Sequence, residues 1–278
     1  SRWEGNCHKR TSNTLKATQW SDNTFNMGTR ITPYSAPDQE SKKEQVARMF
    51  DNIAHSYDFL NHLFSFGIDV LWRKKSIRIL KRHLSSQKID GDAKIMDMAT
   101  GTADFAIEAV RMGLTEVHIT GVDISPGMLD VGRQKIRKRG WTEKIELMEG
   151  DSAHLPFDTD TFDAYTVAFG VRNFEHLDKG LAEMHRTLKP GGLGIVLEFS
   201  KPRHFPMKQL FAFYFRFIMP TIGKLVSKDA AAYTYLPESV QAFPEGDEFL
   251  KIMKSCGYTN CKCIALTGGI ASIYTGIK

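Results

Sequence analysis

Apolar positions follow two successive rhythms along the chain. From Glu44 they recur at three- and four-residue steps, as Val46, Met49 and Phe50, then Ile53, Tyr57 and Leu60. That spacing lays one apolar stripe along an α-helix. A second helix is expected over Leu71–Leu84, with Ile77, Leu80 and Leu84 on one face. After Gly91 short apolar runs near Lys94–Met98, Val117–Val122, Lys144–Met148, Ala164–Phe169 and Leu193–Phe199 read as strands. Helical patterns at Thr102–Met112, Pro126–Arg139 and Lys179–Leu188 separate them. Ser125 and Pro126 suit the N-cap and first position of a helix. Gly191-Gly192, after Lys189-Pro190, is expected to end a helix and feed a strand. Another helix is expected near Gly246–Ser255, then strands near Tyr258–Leu266 and Ala271–Ile277 joined by the turn residues Thr267-Gly268-Gly269. Strands alternating with helices imply an α/β fold, a mostly parallel sheet covered on both faces, here closed by an antiparallel hairpin.

The N-terminal stretch follows neither rhythm. Residues 1–26 are polar and aperiodic, and Met27 is the expected natural start. Residues 1–41 read as a disordered or tag-like arm, and 42–278 as a single domain with N-terminal helices over 44–84. His204–Leu225 is dense in aromatics, including Phe205, Phe211, Phe213, Tyr214, Phe215 and Phe217. It reads either as a helix packed on the sheet, or as a lid-like, membrane-touching part of an insertion near 204–240.

Composition adds little beyond excluding classes. No apolar run reaches the ~18 residues that span a bilayer, and no secretory signal is recognisable, which points to the cytoplasm. The net charge of +5 is spread over short clusters such as Arg73-Lys74-Lys75. These read as solvated helix faces, with an anionic lipid surface as the functional alternative. Nucleic acid is disfavoured, because no recognition motif accompanies the charge. Cys256, Cys261 and Cys263 lack a fourth ligand nearby and read as reduced thiols, with no metal.

Chemistry concentrates at the strand ends. Asp97-Met98-Ala99-Thr100-Gly101-Thr102-Ala103-Asp104 follows the first expected strand and opens a helix. Small residues there let the backbone approach a ligand, and free N–H groups at a helix start bind a carboxylate. Asp123 ends the second strand, where an acid takes ribose hydroxyls, and Asp151 follows the third, where adenine would lie. A nicotinamide-dependent oxidoreductase is the competing reading, but it requires a full glycine fingerprint that Ala99 and Ala103 break. A non-catalytic cofactor-binding subunit would be expected to lose these acids.

Several strings together resemble the ubiquinone/menaquinone C-methyltransferase family. They include VARMFDNIAHSYDFLN at 46–61, SFGIDVLWR at 65–73, GDSAHLPF at 150–157, AFGVRN at 168–173, LKPGG at 188–192, LEFSKP at 197–202 and YLPESV at 235–240. The resemblance covers about Lys42 to the C-terminus. It implies a class I S-adenosylmethionine-dependent methyltransferase with a Rossmann-like, seven-stranded sheet. It further implies that Thr102, Asp123, Asp151 and Ser152 touch the cofactor, and Asp97, Ala99, Gly101, Ile124 and Ala168 are the other candidate cofactor contacts. Ala103 stands where the family usually has glycine, and Ala168 where many members have serine.

The implied reaction is C-methylation of a prenylated quinol ring. Demethylmenaquinol is the favoured acceptor. A ubiquinone precursor (2-polyprenyl-6-methoxy-1,4-benzoquinol) or another small apolar acceptor is the alternative. The ring carbon is a weak nucleophile, so the protein must orient it and stabilise developing oxyanion charge. Arg172 and Asn173, after the fourth strand, are candidates to orient the quinol oxygen or a water, and His176 is a candidate base. Tyr57, Tyr233 and Tyr235 are candidates to line the acceptor pocket. The expected partners are the quinol, a membrane surface touched peripherally, and a second copy of the protein as a homodimer.

Overall fold

The computed structural model describes residues 31–34, 40–65, 67–89, 91–218 and 231–278. The expectations for residues 1–26, and for 219–230 of the insertion, lie outside the described residues. Two helices come first, α1 (Lys42–Ser65) and α2 (Ile68–Ser86). Then follow β1 (Ala93–Met98), α3 (Asp104–Arg111), β2 (Val117–Asp123), α4 (Pro126–Lys138) and β3 (Ile145–Glu149). The second half holds β4 (Phe162–Ala168), α5 (Leu177–Thr187), β5 (Leu188–Phe199), α6 (Met207–Phe213), α7 (Ala231–Ala242), α8 (Asp247–Ser255), β6 (Thr259–Leu266) and β7 (Ala271–Ile277). The strands form one seven-stranded sheet in the order β3-β2-β1-β4-β5-β7-β6. Among the described strands β7 alone runs against the others, pairing antiparallel with both β5 and β6.

Strand alternation divides the core into two layers. Ile95, Ala164, Ile195 and Ile273 point into one cluster, with Ile77 and Leu80 of α2, Phe105 of α3 and Leu129 of α4. Their neighbours Met96, Tyr165, Val196 and Tyr274 point into the other, with Leu181 and Met184 of α5 and Phe249 and Met253 of α8. Period-two alternation with both faces apolar is what a doubly covered sheet demands. A third, smaller cluster joins Val46, Met49 and Ile53 of α1 to Tyr235 of α7.

Three local expectations are corrected. Helix α5 stops at Thr187, and Gly191-Gly192 lie inside β5 rather than at the helix end. The β4–β5 register shifts there, and Gly191 takes φ +79. Helix α3 starts at Asp104 rather than Thr102, because Gly101 (φ +55) and Ala103 (φ +64) turn the chain through the left-handed region first. The aromatic segment does not pack on the sheet where it is described. No residue of α6 is buried, and Phe205, Leu210, Phe213 and Phe217 are all exposed.

The strand order reverses between β1 and β4, so the loops after these strands flank a crevice at the carboxyl edge of the sheet. The two loops touch closely. Ala99 sits at φ +53, and a Cβ on Gly170 would fall 2.4 Å from the Ala99 Cβ. Gly170→Ala is therefore expected to destabilise the fold by about 1–3 kcal/mol through overpacking. Ala99→Gly in the same protein should recover most of that loss, because it removes the clashing methyl at a position that favours glycine. Thermal denaturation of the two single variants and the double variant measures the coupling, and additive losses would contradict it.

Candidate active site

A cavity of about 230 Å³ opens at the crevice. Its floor is the β1 and β4 loops, including Met98, Ala99, Gly101, Ala168 and Asn173. Asp123, Ile124, Asp151 and Ser152 line it from the neighbouring strand ends. The N-terminal helix α1 forms the roof through Lys43, Val46, Phe50 and Tyr57. A second cavity of about 30 Å³ adjoins it and shares Tyr57, Ala99, Gly101, Ala168 and Phe169. Asp97, Thr102 and Arg73 line this smaller space.

The acids are held by donors from the loops. Asp97 is 1% exposed and accepts the hydroxyls of Thr100 and Thr166, each at 2.6 Å. Asp123 accepts the N–H of Gly101 at 2.7 Å and that of Ser125 at 2.9 Å. Burial pushes both carboxyls up to about 6, against the pull of these hydrogen bonds. Asp151 differs. Burial again works against its charge, but the Ala153 N–H and Lys43, whose Nζ lies 3.0 Å away, hold it below the usual carboxylate range.

Helix α1 adds to the expected Tyr57 three residues that pattern reading passed over, Lys43, Asp51 and Asp58. Lys43, Phe50 and Tyr57 are spaced seven apart and so share the helical face that meets the cavity. Asp51 and Asp58, also seven apart, lie on the adjacent face. The Asp51 carboxylate accepts the Ser125 hydroxyl at 2.6 Å and the Gly127 N–H at 2.8 Å, at the start of α4. Asp58 accepts the Thr102 hydroxyl at 2.5 Å and pairs with Lys135, which also reaches Asp104. Polar residues at fixed intervals beside an apolar stripe were the available signal. Only the fold shows that they tie α1 to the cofactor loop and to α4.

The other expected residues separate. Asn173 and His176 line the main cavity, and Asn173 Oδ1 is buried with no partner among the described residues. Arg172 does not line it. Its Nη1 donates to Glu198 Oε1 at 2.9 Å and to the Phe169 carbonyl, inside the protein. Glu198 is fully buried, and burial raises its carboxyl while Arg172 opposes the shift. Lys42, lowered to about 8 by burial, donates to the Arg172 and Phe174 carbonyls and braces the same turn. Tyr57 lines both cavities and meets Phe50 edge-on at 5.8 Å. Tyr235 instead packs against α1, 2% exposed, its hydroxyl unpartnered among the described residues. Tyr233 lies on α7, and its side chain is outside the described residues.

The profile of the ubiE/COQ5 methyltransferase family matches residues 38–278. The chain belongs to this family. A demethylmenaquinone methyltransferase from Bacteroides fragilis is 48% identical over 249 residues, 90% of this chain and 98% of that protein. A protein of the same name from Porphyromonas gingivalis is 42% identical over the same shares. The "Ubiquinone/menaquinone biosynthesis C-methyltransferase UbiE" of Geotalea daltonii is 43% identical over 85% of this chain and 97% of that one. Among solved structures, a S-adenosylmethionine-dependent methyltransferase from Thermotoga maritima superposes with a TM-score of 0.56 at 16% identity, over 84% of this chain and 99% of that one, and so shares the fold.

The protein is thus a methyltransferase of the seven-stranded fold, with S-adenosylmethionine as methyl donor. The residues present fit that donor. Asp97, Asp123 and Asp151 offer acceptors at three strand ends, where an amino acid, a ribose and an adenine need them. Burial pushes the carboxyls of Asp97 and Asp123 up to about 6, so a ligand that needs them ionised is expected to bind in a pH-dependent way. Their ionised forms are the ones that accept from an ammonium and from hydroxyls. Affinity for S-adenosylhomocysteine is expected to weaken as pH falls below about 6, by up to tenfold per unit for each proton taken up. Calorimetric titration between pH 8 and 5 reads this, and a flat profile would contradict it. The sign for the ligand-free fold is opposite. A raised folded-state carboxyl adds stability at low pH that is lost as pH rises through about 6.

Proposed function

We propose that this protein transfers a methyl group to a ring carbon of demethylmenaquinol to give menaquinol. The observation that carries this reading is the main cavity: a largely apolar roof from α1 over the strand-end acids Asp123 and Asp151, with Asn173 and His176 in its wall. When bound, S-adenosylmethionine supplies an electrophilic methyl group on a sulfonium. The protein's part is to hold the quinol ring, manage the proton of its hydroxyl and exclude water. Asn173 is the residue placed to orient the ring oxygen, through its amide in the cavity wall. A hydrogen bond between that amide and the quinol oxygen fixes the ring against the methyl donor. His176, at the start of α5 and also facing the cavity, takes the proton. Arg172 acts through Asn173, fixing the Val171–Asn173 turn against Glu198. Tyr57, under the roof, bounds the ring.

The acceptor's tail is long and apolar and arrives from a membrane. No helix of the described residues is long and apolar enough to cross one. Beside the cavity-bearing fold, Phe205 (82% exposed), Leu210, Phe213 and Phe217 form an exposed apolar face, with Arg203 and Lys208 alongside. Apolar side chains edged by cations suit an anionic bilayer surface. This is the proposed route by which the quinol is collected.

Arg172→Ala is a poor probe, because it strands Glu198 and should cost about 3–5 kcal/mol of stability. Asn173→Ala is the cleaner test. Turnover of demethylmenaquinol is expected to fall roughly 100-fold, with S-adenosylhomocysteine affinity unchanged within about twofold. Unchanged turnover would remove Asn173 from the mechanism. Preference for the ubiquinone precursor over demethylmenaquinol, measured side by side, would overturn the acceptor.

For the membrane face, replacing Phe205, Leu210 and Phe213 together by serine should abolish sedimentation with anionic vesicles while sparing activity on a short-tailed quinol. If the unaltered protein fails to sediment at low salt, or the same substitutions instead dissociate a homodimer, the face serves another purpose.

A further inference from the structure

The small cavity beside the cofactor loop holds a charge arrangement that the strand-end acids do not account for. Arg73, on α2, is 6% exposed, yet it lines this space together with Asp97, Thr100 and Thr102. A guanidinium has five N–H donors. Among the described residues both carboxylate contacts of Arg73 run through Nη1, to Asp69 at 2.5 Å and to Asp104 at 3.9 Å. Nε and Nη2 carry no hydrogen bond there. The guanidinium also lies over the Phe169 ring, 6.0 Å from its centroid, which places it against the loop after β4. A buried cation using so few of its donors, beside a buried acid and an open space, matches a ligand that carries both charges.

We infer that Arg73 receives the α-carboxylate of the methyl donor's methionine moiety, while Asp97 receives its α-ammonium. The inference rests on the cofactor assignment and extends it to a residue outside the strand ends. The two cavities share Tyr57, Ala99, Gly101, Ala168 and Phe169, so a single elongated ligand can pass from Asp151 and Asp123 into the small space. The small residues of the loop leave room for that passage. Thr102 does not compete for the carboxylate, because its hydroxyl is committed to Asp58 at 2.5 Å. Asp69, itself fixed by the Ser65 hydroxyl at 2.6 Å, holds the guanidinium by one edge and leaves the rest to the ligand. A fork of this kind binds a carboxylate in two parallel hydrogen bonds, which a lysine cannot reproduce.

The test compares three ligands by calorimetry. S-adenosylhomocysteine carries both charges, its decarboxylated analogue keeps only the ammonium, and 5′-methylthioadenosine has neither. The unaltered protein is expected to prefer S-adenosylhomocysteine to the decarboxylated analogue by tenfold or more. Arg73→Met should collapse that preference to within about twofold while leaving 5′-methylthioadenosine binding unchanged, and Arg73→Lys should restore only part of it. Equal affinity of the unaltered protein for the first two ligands would overturn the assignment without need of any variant. So would an equal loss of all three ligands in a folded Arg73→Met protein, which marks a structural role. Failure of the unaltered protein to bind any of the three would overturn the cofactor assignment and this one with it.

Discussion

Two carboxylates, Asp97 and Asp123, lie inside the protein at the ends of adjacent parallel strands, and neither has a lysine or arginine in direct contact among the described residues. Taking an ionised carboxylate out of water costs several kcal/mol unless other donors replace the solvent. Here the donors are the hydroxyls of Thr100 and Thr166 and the N–H groups of Gly101 and Ser125. The local architecture follows from supplying them. To aim its N–H at Asp123 the β1 loop passes through left-handed conformations at Ala99, Gly101 and Ala103. That path delays the start of α3 and brings Ala99 against Gly170, so the two loops at the switch point fit as one unit. The acids remain incompletely compensated, with both carboxyls near 6, and that deficit is what a ligand rich in donors relieves.

The roof is attached by contacts of unequal strength. Lys43–Asp151 is partly exposed, and such pairs contribute at most about 1 kcal/mol. Asp51 and Asp58 make shorter hydrogen bonds, to the start of α4 and to Thr102. The apolar cluster of Val46, Met49, Ile53 and Tyr235 supplies non-directional attachment along the N-terminal half of the helix. Helix α1 is therefore anchored along its middle and also at its N-terminal end, where Lys42 and Val46 are buried. Under that end, Lys42, Arg172 and Glu198 make a buried polar brace that fixes the turn carrying Asn173.

The strand pattern, the hairpin, the N-cap at Ser125 and the acids at three strand ends were legible in the order of residues. Each depends on local spacing: period two for strands, three to four for helices, and a small-residue loop between them. The expected cofactor residues Ala99, Gly101, Asp123, Ile124, Asp151, Ser152 and Ala168 do line one cavity, because parallel strands put all their carboxyl ends on one edge. The strings around Arg172 and Asn173 marked a turn that borders the cavity but not which side chain lines it. That choice rests on Glu198, 26 residues on, whose carboxylate draws Arg172 away from the cavity.

By itself the sequence determined the fold class, the cofactor edge and the family, since these follow from periodicity and contiguous motifs. Tertiary structure decided how residues far apart in the chain share the site. The N-terminal helix becomes its roof because acids at 51 and 58 meet donors at 125, 127 and 102. Arg73 comes to line the small cavity beside Asp97 because α2 packs on the face of the sheet beside the loop. Where it is described, the aromatic segment stands exposed, with no residue of α6 buried, while α2, α3, α4, α5 and α8 supply the clusters against the sheet.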